Sequence, residues 1–288
     1  MTGIHARTRG ESRRPIPSGA VGKASIRDPR SRASVRAVAL VVALAGSLVV
    51  TVPSATPPAV AATRHLPPRA GGYFHSLGAG AKLPTGKWCA DHIHRSLWEP
   101  RRDNTTQNRY VVHQPVHLPN NSGFNHAWQV KYKPRITGNF RGTTDEIIQW
   151  ASCKWGFGDD LTRARSVVES TWRQSTNGDF ESRSSGHCTP GYRGNPCPPS
   201  FGLLQSRWYY RPGTYPGTKK STAFMVDSAL AETRGCVDGM MWFGSQSRGD
   251  VWGCVGVWFS GSYRSGYGSY VTHVKSVVRS KPWRRWPG

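Results

Sequence analysis

The chain has 288 residues, 37% of them hydrophobic, with 39 Lys and Arg against 16 Asp and Glu, a formal net charge of +23. Such a field speeds encounter with polyanions, whether nucleic acid, anionic lipid or phosphate-bearing wall polymer, without specifying chemistry. Six cysteines, none in a CxxC pair, exclude a paired-cysteine zinc site and argue for three disulfides in an exported chain.

Residues 1–62 read as a secretory signal peptide. A basic leader running from Arg7 to Arg36 precedes an uncharged stretch, Ala37 to Val52, and Ala59-Val60-Ala61 supplies small residues at cleavage spacing. Sixteen residues fall short of the roughly 20 that a spanning helix needs, so no stable membrane insertion is expected after cleavage. The mature protein is expected outside the cell, associated with the wall. Nine of the Lys and Arg and two of the acids lie in residues 1–62, which leaves a mature charge of +16.

Residues 63–86, with Pro67, Pro68, Gly71, Gly72, Gly78, Gly80, Pro84 and Gly86, have few large apolar side chains and read as a disordered linker. Residues 87–140 read as an irregular, β-containing extension. There Tyr110-Val111-Val112, Trp128 to Tyr132 and Arg135-Ile136 are short runs, and the middle one alternates apolar with polar.

Helical periodicity begins beyond residue 141. Thr143 or Thr144 caps a helix whose first turn carries Asp145 and Glu146 and which Gly156 stops. A second helix is expected from Asp160 to about Arg173, with Leu161, Ala164, Val168, Thr171 and Trp172 on one face and Glu169 just off it. Further helices fit Ser221 to Thr233, Asp250 to Trp258 and Gly268 to Val278. The fold class is therefore mainly α, with the helical domain at 141–288. Cys188 and Cys197 bracket a short Gly- and Pro-rich loop and form the clearest disulfide. For Cys89, Cys153, Cys236 and Cys254 three pairings are open, of which Cys236–Cys254 with Cys89–Cys153 is favoured.

Most acids fall in first turns of helices, inside helices or in the extension, which leaves Glu169, Asp179 and Glu181 near the loop to which Ser200–Gln205 returns. A carboxyl at the edge of an apolar stripe, beside Trp172, can stay protonated near neutral pH and act as an acid. The competing reading is structural: Arg165 and Arg173, four residues to either side, can pair with Glu169 and lower its pKa. A metal site from His92, His94, His113 and His117 is not expected, nor is a cofactor. The tail Lys281 to Trp286 interleaves aromatics with cations and reads either as a wall contact or as a plain basic terminus.

In order and spacing, Val168-Glu169-Ser170, Gly202-Leu203-Leu204-Gln205, Val257-Trp258-Phe259-Ser260-Gly261 and Tyr270-Val271 resemble the motifs of the soluble lytic transglycosylase family. That family has the α+β lysozyme-like fold and is related to goose-type lysozymes. The stretches Gly142 to Gly156 and Ser221 to Gly239 also look like actinobacterial secreted proteins of this superfamily. The resemblance implies that Glu169 is the catalytic acid and Ser170 its supporting hydroxyl. It also implies that Gly202, Gln205, Trp258 and Tyr270 contact the substrate. Phe259 stands where the family has Asn, Trp258 where it has Tyr, and residues 177–199 form a long insert.

The implied activity is lytic transglycosylation of peptidoglycan at the MurNAc–GlcNAc β-1,4 bond by one glutamate. The alternatives are hydrolysis of the same bond, for which Asp179 or Glu181 would be the second acid, and a non-catalytic wall-binding protein. Expected partners are peptidoglycan strands and anionic wall polymers rather than nucleic acid.

Overall fold

The Thr85 side chain accepts a hydrogen bond from the Trp88 amide and opens α1 (Gly86–His92). Two short helices follow, α2 (Thr105–Arg109) and α3 (His126–Lys131). The computed structural model describes residues 65–113 and 124–288, all within one compact unit spanning Pro58–Gly288. The expected signal peptide and His117 lie outside the described residues.

Helix α4 (Thr144–Trp155) begins with a reciprocal capping box: Thr143 Oγ1 accepts from the Glu146 amide at 3.3 Å, and Glu146 Oε2 accepts from the Thr143 amide at 2.9 Å. Gly156 ends it at φ 65°, the left-handed conformation that suits glycine. Every residue of α4 is buried, and it packs against α7 (Thr222–Val237), which is buried throughout its length. Between them in sequence lie α5 (Asp159–Ser170) and α6 (Gly217–Lys220). Helix α8 (Val251–Ser260) packs on α7, and α9 (Gly268–Ser280) on α5 and α8. A small antiparallel sheet joins β1 (Asn177–Gly178), β2 (Ser200–Phe201) and β3 (Ser206–Arg207), with Gly178 opposite Ser200 and Phe201 opposite Ser206. The class is mainly α, as expected.

Three expectations from sequence give way. The linker is packed: the Tyr73 and Phe74 amides donate to Asp159 at 3.0 Å, and the Gly80 amide donates to Asp238 Oδ1 at 2.9 Å. Residues with too little apolar surface to fold alone are held here by buried carboxylates of the neighbouring helices. The extension is helical rather than extended at Trp128 to Tyr132. Only Trp128 and Tyr132 of that run are buried, while Val130 is 63% exposed. The two buried rings stand four residues apart, which is helical spacing, and Asn125 caps the turn by accepting from the Trp128 amide at 3.0 Å. The tail, read from sequence as a wall contact or a plain basic terminus, is instead packed through its aromatic side chains. Trp283 is fully buried, Trp172 packs against Trp283 and Trp286, and the Arg101 guanidinium lies 4.1 Å over the Trp286 ring.

The three disulfides are Cys89–Cys153, Cys188–Cys197 and Cys236–Cys254, the favoured pairing. The first ties α1 to α4, so the extension is part of the same unit as the helices that follow. Asp227 of α7 reinforces this. It accepts from Lys154 Nζ at 2.7 Å, Trp155 Nε1 at 2.6 Å and the amides of Thr137 and Gly138 at 2.8 and 2.9 Å. A buried carboxylate with that many donors is compensated in charge and in hydrogen bonds.

Candidate active site

Helix α5 buries only part of the apolar stripe its sequence suggests: Ala164 and Trp172 are fully buried, and Leu161 and Val168 are half-buried against the core. Its buried residues include Thr162, Arg163, Arg165, Ser166 and Ser170, while Thr171 is exposed. Arg163 makes this possible by pairing with Asp145 and Asp159 at 2.7 Å and with Asp160 at 2.9 Å. The helix stops at Ser170 rather than Arg173, because Thr171 and Trp172 both adopt positive φ, 53° and 64°. That reversal carries Trp172 back along the helix, where Nε1 donates to the Arg163 carbonyl at 2.9 Å. The ring contacts of Trp172 are Trp98, Trp283 and Trp286, so the aromatic side chain that bonds Glu169 is a different one.

That side chain is Tyr270 of α9, whose hydroxyl donates to Glu169 Oε1 at 2.5 Å. Burial pushes the Glu169 carboxyl up to about 7, against the lowering effects of the Tyr270 hydrogen bond and of the Arg165 and Arg211 charges; the Asp179 charge adds to the rise. Burial and the neighbouring Glu169 charge raise the Tyr270 hydroxyl further from ionisation, so it acts as a donor. The ion-pair reading of Glu169 does not apply: Arg165 Nη1 donates to Thr233 Oγ1 at 3.0 Å, and Arg173 pairs with Asp103 at 3.1 Å.

Glu169 opens onto a groove of about 1240 Å³. Gln205 and Trp258 line it with Glu169. Ser170, Gly202 and Tyr270, expected as substrate contacts or support, are buried and do not line it. Ser170 Oγ donates to the Leu203 carbonyl at 2.8 Å, joining the end of α5 to the β2–β3 turn. Gly202 sits in that turn at φ +83°, a conformation that strains any residue with a Cβ, and its face packs against Met225 Cε and the Gln174 amide. Gln205 Nε2 donates to the Gly202 carbonyl at 2.8 Å, which fixes its amide at the groove wall. Trp258 Nε1 donates to the Leu204 carbonyl at 2.8 Å, and the Arg165 and Arg211 guanidiniums lie 5.5 and 4.2 Å from its ring centre. Phe259 stacks on Tyr270 at 4.8 Å yet stays 58% exposed, lining the groove with Tyr210 and Trp242.

Two further carboxylates line the groove. Asp179 follows β1, accepts from the Ser200 hydroxyl and lies 3.5 Å from Arg207 Nε, so it belongs to an ordered wall rather than a flexible loop. Glu232, assigned from sequence to a helix interior, reaches the groove from α7. Its two oxygens each accept from Arg211 Nε at 2.7 Å, and burial raises its pKa against that pairing. Hydrophobic period cannot reveal Glu232, because its partner lies in a separate turn of chain. Glu181 pairs with Arg207 at 2.5 Å and His187 at 3.0 Å and does not line the groove.

Among the described residues no group of three or more His, Cys, Asp or Glu is placed to hold a metal ion. His92 Nδ1 donates to the Trp88 carbonyl at 2.7 Å and its ring stacks on Trp88, and His94 stacks on Tyr73. No described helix is long and apolar enough to cross a membrane. No protein-family model, curated protein or solved structure matches the chain.

Proposed function

We propose that the protein is a secreted enzyme that cleaves peptidoglycan at the MurNAc–GlcNAc β-1,4 bond as a lytic transglycosylase. The observation that carries this reading is a carboxyl with a pKa of about 7, held by a tyrosine hydroxyl at the wall of a groove of about 1240 Å³. At neutral pH Glu169 holds its proton in about half of the molecules, so it can protonate the leaving glycosidic oxygen. The resulting carboxylate then takes the proton of the sugar's own 6-hydroxyl as that oxygen attacks the anomeric carbon. This closes a 1,6-anhydro ring and restores the acid. Gln205 presents an oriented amide, and exposed Tyr210, Trp242 and Phe259 offer ring faces suited to pyranose C–H groups. Export and the +16 mature charge support action at an anionic wall.

A second reading, hydrolysis of the same bond, is favoured by Asp179 lining the same groove. There Asp179 would activate water while Glu169 protonates the leaving group. Transglycosylation is preferred because Asp179 Oδ2 is already engaged by Ser200 and Arg207.

Mass spectrometry of digested sacculi in ¹⁸O-water tests both. Anhydro-muropeptides without ¹⁸O, retained in Asp179→Asn and lost in Glu169→Gln, are the expected result. Reducing ends carrying ¹⁸O, lost in Asp179→Asn, would replace the reading with hydrolysis. No cleavage by the wild type would leave a glycan-binding protein.

A further inference from the structure

The cations around the groove differ in whether they have a counter-ion. Arg211 is engaged by both oxygens of Glu232, and Arg207 by Glu181 and Asp179. Arg165 pairs with no carboxylate among the described residues, although it is only 1% exposed. Its Nη1 donates to Thr233, its guanidinium lies 5.5 Å from the Trp258 ring centre, and Nε and Nη2 make no well-aligned hydrogen bond, although the guanidinium also acts on the Tyr270 hydroxyl that bonds Glu169. A buried guanidinium with unmade hydrogen bonds is costly, and an apolar side chain of similar volume would fill the place at less cost. Its place in the sequence is one helical turn before Glu169, a spacing that sets the two Cβ atoms about 5–6 Å apart.

We propose that Arg165 is a positioning residue for the acid: anchored by Thr233 and Trp258, it holds a fixed positive charge against the carboxylate that Glu169 becomes once its proton has left. This rests on the reading of Glu169 as the acid. While Glu169 is neutral, Arg165 faces only a dipole. As the proton passes to the leaving oxygen, a charge–charge attraction develops between the guanidinium and the new carboxylate. An interaction that grows during the reaction lowers the barrier, whereas one present throughout does not. The other groups that act on Glu169 are Tyr270 of α9, Asp179 after β1 and Arg211 after the Trp208–Tyr210 turn. Glu232 of α7 acts on Arg211 and Arg165. Asp179 opposes the carboxylate and Glu232 already holds Arg211 by hydrogen bonds, which leaves Arg165 as the groove cation without a carboxylate in ion-pair range among the described residues.

Glutamate carboxyl-¹³C labelling, with Glu169→Gln to assign the resonance, follows the Glu169 titration by NMR without any turnover. Arg165→Met and Arg165→Gln are expected to raise it by about 1 to 3 units, as loss of an adjacent opposite charge does, and Arg165→Lys to return it toward wild type. The Gln variant keeps a donor for Thr233 and guards against a Met variant that does not fold. In cleavage assays both neutral variants should lower kcat with little change in KM. An unchanged Glu169 titration in either folded neutral variant overturns the proposal. Absence of cleavage by the wild type overturns the acid reading instead, and the titration remains readable in that case.

Discussion

The Tyr270 hydroxyl donates to Glu169 Oε1 at 2.5 Å, across the contact between α9 and α5. The bond restrains a carboxyl that burial drives toward the neutral form, and it leaves the second oxygen free for a proton. Tyr270→Phe removes a donor that favours the carboxylate. The Glu169 pKa should rise above about 7, and the alkaline limb of the activity profile should move upward with it. A lower kcat is expected at every pH because the carboxyl loses its orientation. A pH profile superimposable on wild type would show that the tyrosine does not act on the acid.

Glu169→Gln separates catalysis from stability. Cleavage should fall to background, because the amide cannot supply a proton, and turbidity assays on sacculi measure it. Stability should move the other way. The folded carboxyl titrates at about 7 and the unfolded one at the ordinary glutamate value of 4.5, so the folded state binds more protons between those values. Wild-type stability therefore declines as pH rises from 4.5 through 7. Urea denaturation should find the two proteins similar near pH 4.5 and Glu169→Gln more stable at pH 8, by up to about 3 kcal/mol. Equal stability at pH 8 would mean that Glu169 is not buried enough to resist ionisation.

Arg163 is the counterpart of that site on the buried face of α5. Removing it as Arg163→Met leaves Asp145 and Asp159 buried without their cation, which costs about 3–5 kcal/mol. Replacing the arginine and both of these acids together with apolar residues should recover only part of the loss, because the Tyr73 and Phe74 amides and the Gln149 amide then lose their acceptors. Thermal unfolding of the single and triple variants reads both effects.

What the sequence made legible follows from which interactions are local. Caps and stops are local, so α4 between Thr143 and Gly156 and α8 after Asp250 could be placed from residue types alone. The disulfide at Cys188–Cys197 was legible for the same reason. The buried polar face of α5 was not, because Arg163 is compensated by Asp145, eighteen residues earlier, as well as by acids of its own helix. Trp128 and Tyr132 misled because a run of five residues fits period two and a four-residue spacing equally well, and burial alone distinguishes them. At the candidate site, Glu169 was visible by motif, whereas Glu232 and Arg211 meet only after the chain folds.

Thiol labelling under denaturing conditions should find no free cysteine in the oxidised protein, and peptide mapping should recover the three pairs. In the chain-entropy model, loops of these lengths make Cys89–Cys153 worth about 4 kcal/mol and Cys236–Cys254 about 3 kcal/mol. Cys236 and Cys254 also line the groove, so Cys236→Ala with Cys254→Ala should weaken glycan binding as well as stability. Loss of stability with unchanged binding would confine that bridge to a structural role.

The surplus positive charge and the groove should respond differently to salt. Retention on intact sacculi, if it rests on the +16 of the mature chain, should weaken steeply as the Debye length falls from about 10 Å at 0.1 M to about 3 Å at 1 M. Cleavage of a short neutral glycan oligomer should barely change. It depends on a protonated Glu169, an amide at Gln205 and ring faces at Tyr210, Trp242 and Phe259, none of which carries a net charge in the reacting form. Sacculus retention and oligomer cleavage measured across that range, with double-stranded DNA as competitor, separate the two contributions. Parallel loss of both would place charge recognition inside the groove, at Arg207 or Arg211. DNA bound more tightly than sacculi would make nucleic acid the partner of the cationic surface and count against the wall.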